Sequence, residues 1–245
     1  MRSKLFSAVL VMLVLAPLPA WADWFFDTET GAAFSGYNDV RIPGDGGTLF
    51  SLTEDLHAEP TWFVRFRLGA TIARRHTISA LAAPFAFRSE GRFDRDVNYD
   101  GTTFQQGEKV RGYYRFDSYR LSYRYDFLLS PVELGAGVTA KVRDAAIALD
   151  GEQYKEYTNT GFVPLVNFRL SWEFVPRWGL LFEGDALAGP QGRAEDVLAA
   201  VTVKAKDNVM IRAGYRILEG GADNDKVYTF ALVHYAALGL MVGFQ

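Results

Sequence analysis

The feature that most constrains this chain is an alternation of period two that begins at Phe25 and recurs nearly to the last residue. Trp62, Val64, Phe66, Leu68, Ala70 and Ile72 fall on one face of a segment whose other face carries Phe63, Arg65, Arg67, Gly69 and Thr71. Successive side chains point to opposite sides in a strand, whereas a helix repeats every three or four residues, so the segment reads as β-structure. Tyr119, Leu121, Tyr123, Tyr125 and Phe127 oppose Arg120, Ser122, Arg124 and Asp126 in the same way. So do Val132, Leu134, Ala136, Val138 and Ala140 against Glu133, Thr139 and Lys141, and Phe162, Val166, Phe168, Leu170 and Trp172 against Asn167, Arg169, Ser171 and Glu173. Val209, Ile211, Ala213, Tyr215 and Ile217 face away from Arg212 and Arg216. One face is apolar and the other polar or charged.

Ten strands are expected, near 25–37, 60–73, 76–92, 110–127, 132–149, 161–174, 178–188, 197–205, 209–218 and 227–244, with eight or twelve as the alternative counts. Their connections are of two kinds that alternate. Short turns lie at Arg74-Arg75, Leu129-Ser130-Pro131, Val175-Pro176-Arg177 and Lys206-Asp207-Asn208; longer polar loops are expected at Asn38 to Glu59, Asp94 to Glu108, Asp150 to Thr160, Gly189 to Asp196 and Glu219 to Lys226. An even strand count with short turns at one end and long loops at the other suits a transmembrane antiparallel up-and-down β-barrel.

Residues 1–22 read as a cleaved signal peptide. Arg2 and Lys4 open it, Leu5 to Leu18 is apolar, and Ala20-Trp21-Ala22 is a small-x-small cleavage site. The apolar stretch is shorter than the ~20 residues of a spanning helix, and no later stretch reaches that length. The exported chain, 23–245, is then one barrel domain, either soluble or embedded as β-structure. A soluble sandwich alternates too. Strands near the ~9–11 residues that a tilted strand needs to cross a bilayer, and aromatic residues crowding the short turns (Phe25, Phe26, Tyr125, Phe127, Trp172, Phe174, Trp178, Phe244), favour the membrane. The composition agrees, with nineteen Phe, twelve Tyr and five Trp in 245 residues.

Composition also removes whole classes of function. Without cysteine there is no disulfide framework, thiol nucleophile or Cys-ligated metal. The formal charge is −3, and discounting Arg2 and Lys4 leaves 24 basic against 29 acidic residues, a net of −5 that argues against a nucleic-acid partner.

By its leader, its short and long connections and its last strand, Leu238-Gly239-Leu240-Met241-Val242-Gly243-Phe244, the chain resembles the small bacterial outer-membrane β-barrel superfamily over residues 23–245. The resemblance implies a Gram-negative outer membrane, contact with its lipids and lipopolysaccharide, and reading of the terminal aromatic, here Phe244, by the barrel-assembly machinery. Gln245 follows that aromatic and departs from the superfamily's usual end. The resemblance points to no specific member, so no set of functional residues comes with it.

If the apolar faces meet lipid, the charged faces meet one another. The lumen is expected to hold Glu29, Arg65, Arg67, Arg120, Arg124, Glu133, Lys141, Arg169, Glu173, Glu183, Asp185, Arg212 and Arg216, with Asp27, Asp126, Arg143 and Lys204 beside them. An unpaired charge in a narrow interior is costly, so these residues must pair or keep water. Side chains just fill a barrel of ~8 strands and ~16 strands hold an aqueous channel, which puts a ten-stranded lumen near the filled end, with a basic bias toward anions.

Candidate chemistry is sparse. The three histidines are His57, His76 and His234. His57 with Asp55 in the acidic first loop is the alternative, hydrolytic reading, because an Asp–His pair can activate water. His234-Tyr235-Ala236 resembles the His-x-Ser segment of outer-membrane lipid A deacylases, but Ala236 stands where the nucleophilic hydroxyl belongs. Asp94-Arg95-Asp96-Val97-Asn98-Tyr99-Asp100-Gly101 is spaced loosely like a calcium loop and lacks its bidentate Glu. The expectation is therefore a non-enzymatic, porin-like or structural barrel with no metal and no cofactor.

Overall fold

A computed structural model describes residues 22–190 and 192–244. The leader, apart from Ala22, and Gln245 lie outside the described residues. The wall consists of β1 (Ala22–Arg41), β4 (Thr61–Ile72), β5 (His76–Ala83) continued by β6 (Ala86–Arg92), β9 (Lys109–Leu129), β10 (Val132–Asp150), β11 (Tyr154–Val175), β12 (Trp178–Gly189), β13 (Gly192–Lys206), β14 (Val209–Asn224) and β15 (Val227–Phe244). Each pairs antiparallel with the next, and β1 pairs with β15 from Trp24↔Phe244 to Arg41↔Tyr228, so the sheet closes. The ring has about ten strands when β5 and β6 are taken as one; both pair with β9, and Pro84, which has no N–H to donate, lies between them. Closure leaves no open edge, which is what a lipid environment demands of a sheet. At the seam Gly31 has φ +147°, and a Cβ there would lie 2.0 Å from the Ala236 carbonyl oxygen. Only glycine fits.

The lower turns are as short as expected. Ala73 and Arg74 both have positive φ, the backbone of a tight hairpin whose twist matches its strands. Three of the five upper connections are much shorter than the expected loops: residues 151–153 and 225–226 suffice where Asp150 to Thr160 and Glu219 to Lys226 were foreseen as loop, and β13 already begins at Gly192 where Gly189 to Asp196 was. Those polar segments continue the strands instead. Above the lipid both faces of a strand can be polar, so the alternation that marks a strand from its sequence disappears there.

The direction of the faces follows from exposure. Leu121 (57 % exposed), Val138 (63 %) and Ile211 (47 %) point outward, while Arg120, Arg212 and Arg216 are 5 % exposed or less. On β10 the outward series is Leu134, Ala136, Val138, Ala140 and Val142, and then Asp144; on β9 it is Phe127 to Tyr119, and then Asp117 and Arg115. Arg115 hydrogen-bonds both carboxylates, at 3.2 Å to Asp117 and 2.8 Å to Asp144. That charged line marks the upper limit of the apolar belt, which covers the ~9–11 residues a bilayer requires. The strands run well past it, so the upper barrel stands in water. Trp172 and Phe174, and Tyr125 and Phe127, pair edge to face at the lower margin, and Trp62, Phe162 and Tyr215 stand exposed at the upper one. These are the two aromatic girdles of a membrane barrel.

Candidate functional site: a charged lumen beneath an apolar cap

Period two sends Asp27 and Glu29 of β1, Arg65 and Arg67 of β4, Arg120 and Arg124 of β9, Lys141 of β10, Arg169 of β11, Glu183 and Asp185 of β12, and Arg212 and Arg216 of β14 into the lumen. Glu29 accepts from Arg216 at 2.7 Å and from Arg212 at 2.9 Å, with Arg65 at 3.9 Å. Arg212 also donates to Asp27 at 2.7 Å. Glu183 joins Arg67 at 3.0 Å to Arg169 at 2.7 Å. Arg124 turns back to Asp126 on its own strand at 2.8 Å.

Asp196 of β13 is the residue that the sequence reading missed. It lies opposite Asp185, and two like charges in that position repel. Arg120 resolves the conflict by donating to Asp185 at 2.7 Å and also to Asp196, which Arg65 (3.0 Å) and Arg216 pair as well. Asp196 is 1 % exposed and holds three arginines. The only signal for it in the sequence is its even spacing with Leu198, Ala200 and Thr202, a face too mixed to read as lumen.

Glu133 and Glu173 occupy the lower rim rather than the buried network. Their side chains are about half and two-fifths exposed; Glu133 reaches Arg169 only at 4.0 Å, and Glu173 pairs with the exposed Lys204. Lys141, 2 % exposed, has its ammonium 4.8 Å from the centre of the Phe116 ring, and Arg143 donates to Asn159 at 2.7 Å.

Above this layer the lumen turns apolar. Residues 42–60 and 93–108 fold into the mouth, carrying the short strands β2 (Phe50–Ser51), β3 (Leu56–Ala58), β7 (Val97–Tyr99) and β8 (Thr102–Phe104). Phe50 packs edge to face on Phe93 (5.5 Å) and Tyr99 (5.6 Å), among Leu52, Leu56, Phe104, Phe87, Tyr114 and Leu149, all at most 6 % exposed. The Tyr99 hydroxyl donates to the Ile147 carbonyl at 2.8 Å, so burial, which raises its pKa, leaves it neutral and hydrogen-bonded. Below the ionic layer, at the periplasmic end, lies a vestibule of about 200 Å³.

The structure does not join His57 to Asp55. Both Asp55 oxygens are held at 3.0 Å by the two terminal nitrogens of Arg95, and one also accepts the Ser51 amide at 2.8 Å. Arg95 is held above its ordinary pKa, first by the Asp55 hydrogen bonds and then by Asp94. His57 is exposed on β3 and stands opposite Glu90, whose carboxylate pairs with Lys109 at 2.7 Å. His76 meets the Tyr123 hydroxyl at 2.9 Å, and His234 meets that of Tyr215, both on the outer wall. In the calcium-like segment Asp96 accepts the Gln106 amide and Asp100 pairs with Lys155, and no group of acidic and histidine side chains among the described residues could hold a metal ion.

No family model matches the sequence, and no curated protein does. Among solved structures, the outer membrane protease OmpT from Escherichia coli is similar with a TM-score of 0.57 and 10 % identity, over 92 % of this chain and 98 % of that one. The Ail attachment invasion locus protein of Yersinia pestis (TM-score 0.40, 12 % identity, 91 % and 99 % covered) and the translocator domain of the autotransporter NalP from Neisseria meningitidis (0.41, 11 %, 99 % and 96 %) align as well. At such identities the likeness speaks for the fold alone: this chain has the transmembrane antiparallel β-barrel fold of bacterial outer-membrane proteins.

Proposed function

We propose that the protein is a non-enzymatic outer-membrane barrel of a Gram-negative bacterium whose lumen is closed, a structural or surface protein rather than an open pore. The observation that carries this reading is the stacking of two seals, the buried arginine–carboxylate layer and the apolar cap above it. Among Arg65, Arg120, Asp185, Asp196 and Arg216 the pocket is about 20 Å³, about one water by volume. An ion would have to break paired charges and then pass a dry aromatic layer. Planar-bilayer recording of the refolded chain tests this: no discrete conductance steps are expected, and reproducible single-channel steps would refute closure.

The hydrolytic reading pairs His57 with Asp55, and Asp55 is committed to Arg95 and Ser51. That geometry supports a structural role for the first loop, with Asp55–Arg95 tying it to the second. The expected partners are those of a barrel in that membrane. Lipids and lipopolysaccharide meet the belt and the charged line above it, and the assembly machinery reads the strand ending at Phe244. Phe244→Ala is expected to lower the yield of assembled, heat-modifiable barrel in cells; an unchanged yield would remove Phe244 as the recognised residue.

A further inference from the structure

The ring is closed, but one of its seams is interrupted. β4 pairs with β5 only from Phe66↔Ala82 to Ile72↔His76. The ladder resumes higher up, where β3 meets β6 at Ala58↔Ser89 and the Glu59 amide donates to the Arg88 carbonyl at 3.0 Å. Among the described residues no ladder joins 60–65 to 83–87. Pro60 and Pro84 stand on the two sides of this interruption, and neither has an N–H with which to close it. A stretch of that length spans ~20 Å along the strand. Its depth follows from Asp117: Ala83 lies opposite Ser118 on β9, and the Phe85 amide donates to the Asp117 carboxylate at 3.1 Å. The window therefore opens at the charged line that limits the belt. Unpaired backbone is costly in hydrocarbon, and this is the depth at which lipid head groups and their linkages meet it.

A second observation shows what lies behind the window. One cavity touches Val64 and Pro84 on the outer surface and Phe116, Leu218 and Tyr235 in the lumen, so it reaches both sides of the wall. Tyr235 closes it from inside. Its ring lies edge to face on Phe63, at one side of the opening, at 4.7 Å, and on Phe85, at the other, at 5.5 Å. Arg65 and Arg120 of the ionic layer form the floor. The space left among the rings is about 10 Å³, so a ligand enters by turning them aside.

We propose that this window is a lateral lipid-binding site: an acyl chain of an outer-leaflet lipid enters between β4 and β6 into the aromatic chamber, and its polar linkage stays at the rim. The occupant follows from the mouth. Trp62 (80 % exposed), Val64 (39 %) and Phe66 (44 %) carry the lipid-facing belt up to the opening, so the chamber is continuous with the surface that meets lipid. The ring contacts that close it are individually weak, and a buried chain replaces them with apolar contacts of its own. At the rim, ester or amide groups of the lipid supply partners for backbone that the interrupted ladder leaves unpaired. The site goes beyond the closed-barrel reading, since it opens sideways to the membrane and not along the lumen.

The test is photolabelling of the full-length barrel, refolded in phosphatidylcholine vesicles that contain a phosphatidylcholine with a diazirine in its acyl chain. Adducts are mapped by mass spectrometry of peptides. They are expected on the inward residues Phe116, Leu218 or Tyr235 as well as on the outward side chains of the belt. Leu218→Trp, which fills the chamber, is expected to lower the inward adducts several-fold, and Tyr235→Leu, which removes the inner ring, to raise them. Labelling at Val138 stays unchanged in both, and heat-modifiable migration establishes that each variant is folded. Adducts confined to outward side chains in the parent overturn the site. So do inward adducts that neither folded variant changes. Inward labelling by a water-soluble diazirine alcohol that equals labelling by the lipid also overturns it, because the chamber then takes small solutes. Conductance of the same preparation separates this site from closure: a conducting barrel with inward adducts keeps the site and loses closure, and a silent barrel without them loses the site and keeps closure.

Discussion

Asp196 shows how much can rest on one side chain. It is the shared acceptor of Arg65, Arg120 and Arg216, and it faces Asp185 directly across the β12–β13 pair. Removing one partner of a buried ionic group leaves the rest uncompensated, whereas a buried pair as such adds little stability over apolar packing. Asp196→Asn keeps the volume and removes the charge that three arginines share, and it is expected to lower stability by ~3–5 kcal/mol in urea unfolding from lipid vesicles. A change within ~1 kcal/mol would mean that the arginines are held by water rather than by Asp196. Most of the network was legible in the sequence: Arg65, Arg67, Arg120, Arg124, Arg169, Arg212 and Arg216 each alternate with large apolar residues. Asp196 was not, because its inward neighbours Leu198 and Ala200 are apolar and so are Val197 and Ala199 on the outward face, which leaves no amphipathic contrast to read.

At the scale of the element, the strands were legible wherever lipid enforces alternation and lost wherever water permits either face to be polar. The five upper connections illustrate both halves. Polar runs after Asp150, Gly189 and Glu219 read as loop and are strand, while Asn38 to Glu59 and Asp94 to Glu108 read as solvated loops and fold inward as the cap. The second error had a visible warning in Phe50, Leu52, Leu56, Phe93, Val97, Tyr99 and Phe104, more apolar surface than an exposed loop keeps. The belt itself gives a graded prediction along β10. Val138→Arg, near mid-belt, is expected to destabilise the barrel by ~2–4 kcal/mol, and Val142→Arg, one outward position below the Asp144 line, by ~0–1 kcal/mol. Equal costs at the two positions, measured by the same unfolding assay, would show that the belt does not end where the charged line does.

For the whole molecule, closure, polarity and length belong together. A closed ring satisfies every backbone group that lipid cannot, the apolar belt fixes its depth, and the charges that belt excludes gather inside, where arginines and carboxylates pair. The cap and the ionic layer lie above the vestibule at the periplasmic end. All of this depends on the outward direction of the apolar face. Because the chain has no native cysteine, single cysteines at Leu121, Val138 and Ile211 and at inward Ser122 and Thr139 can each carry a nitroxide without background. In liposomes, relaxation of the first three by oxygen is expected to exceed that by a water-soluble nickel chelate, with neither reagent reaching the inward pair freely. Nickel-dominated relaxation at Leu121, Val138 and Ile211 would contradict the account, because those side chains would then face water and not acyl chains.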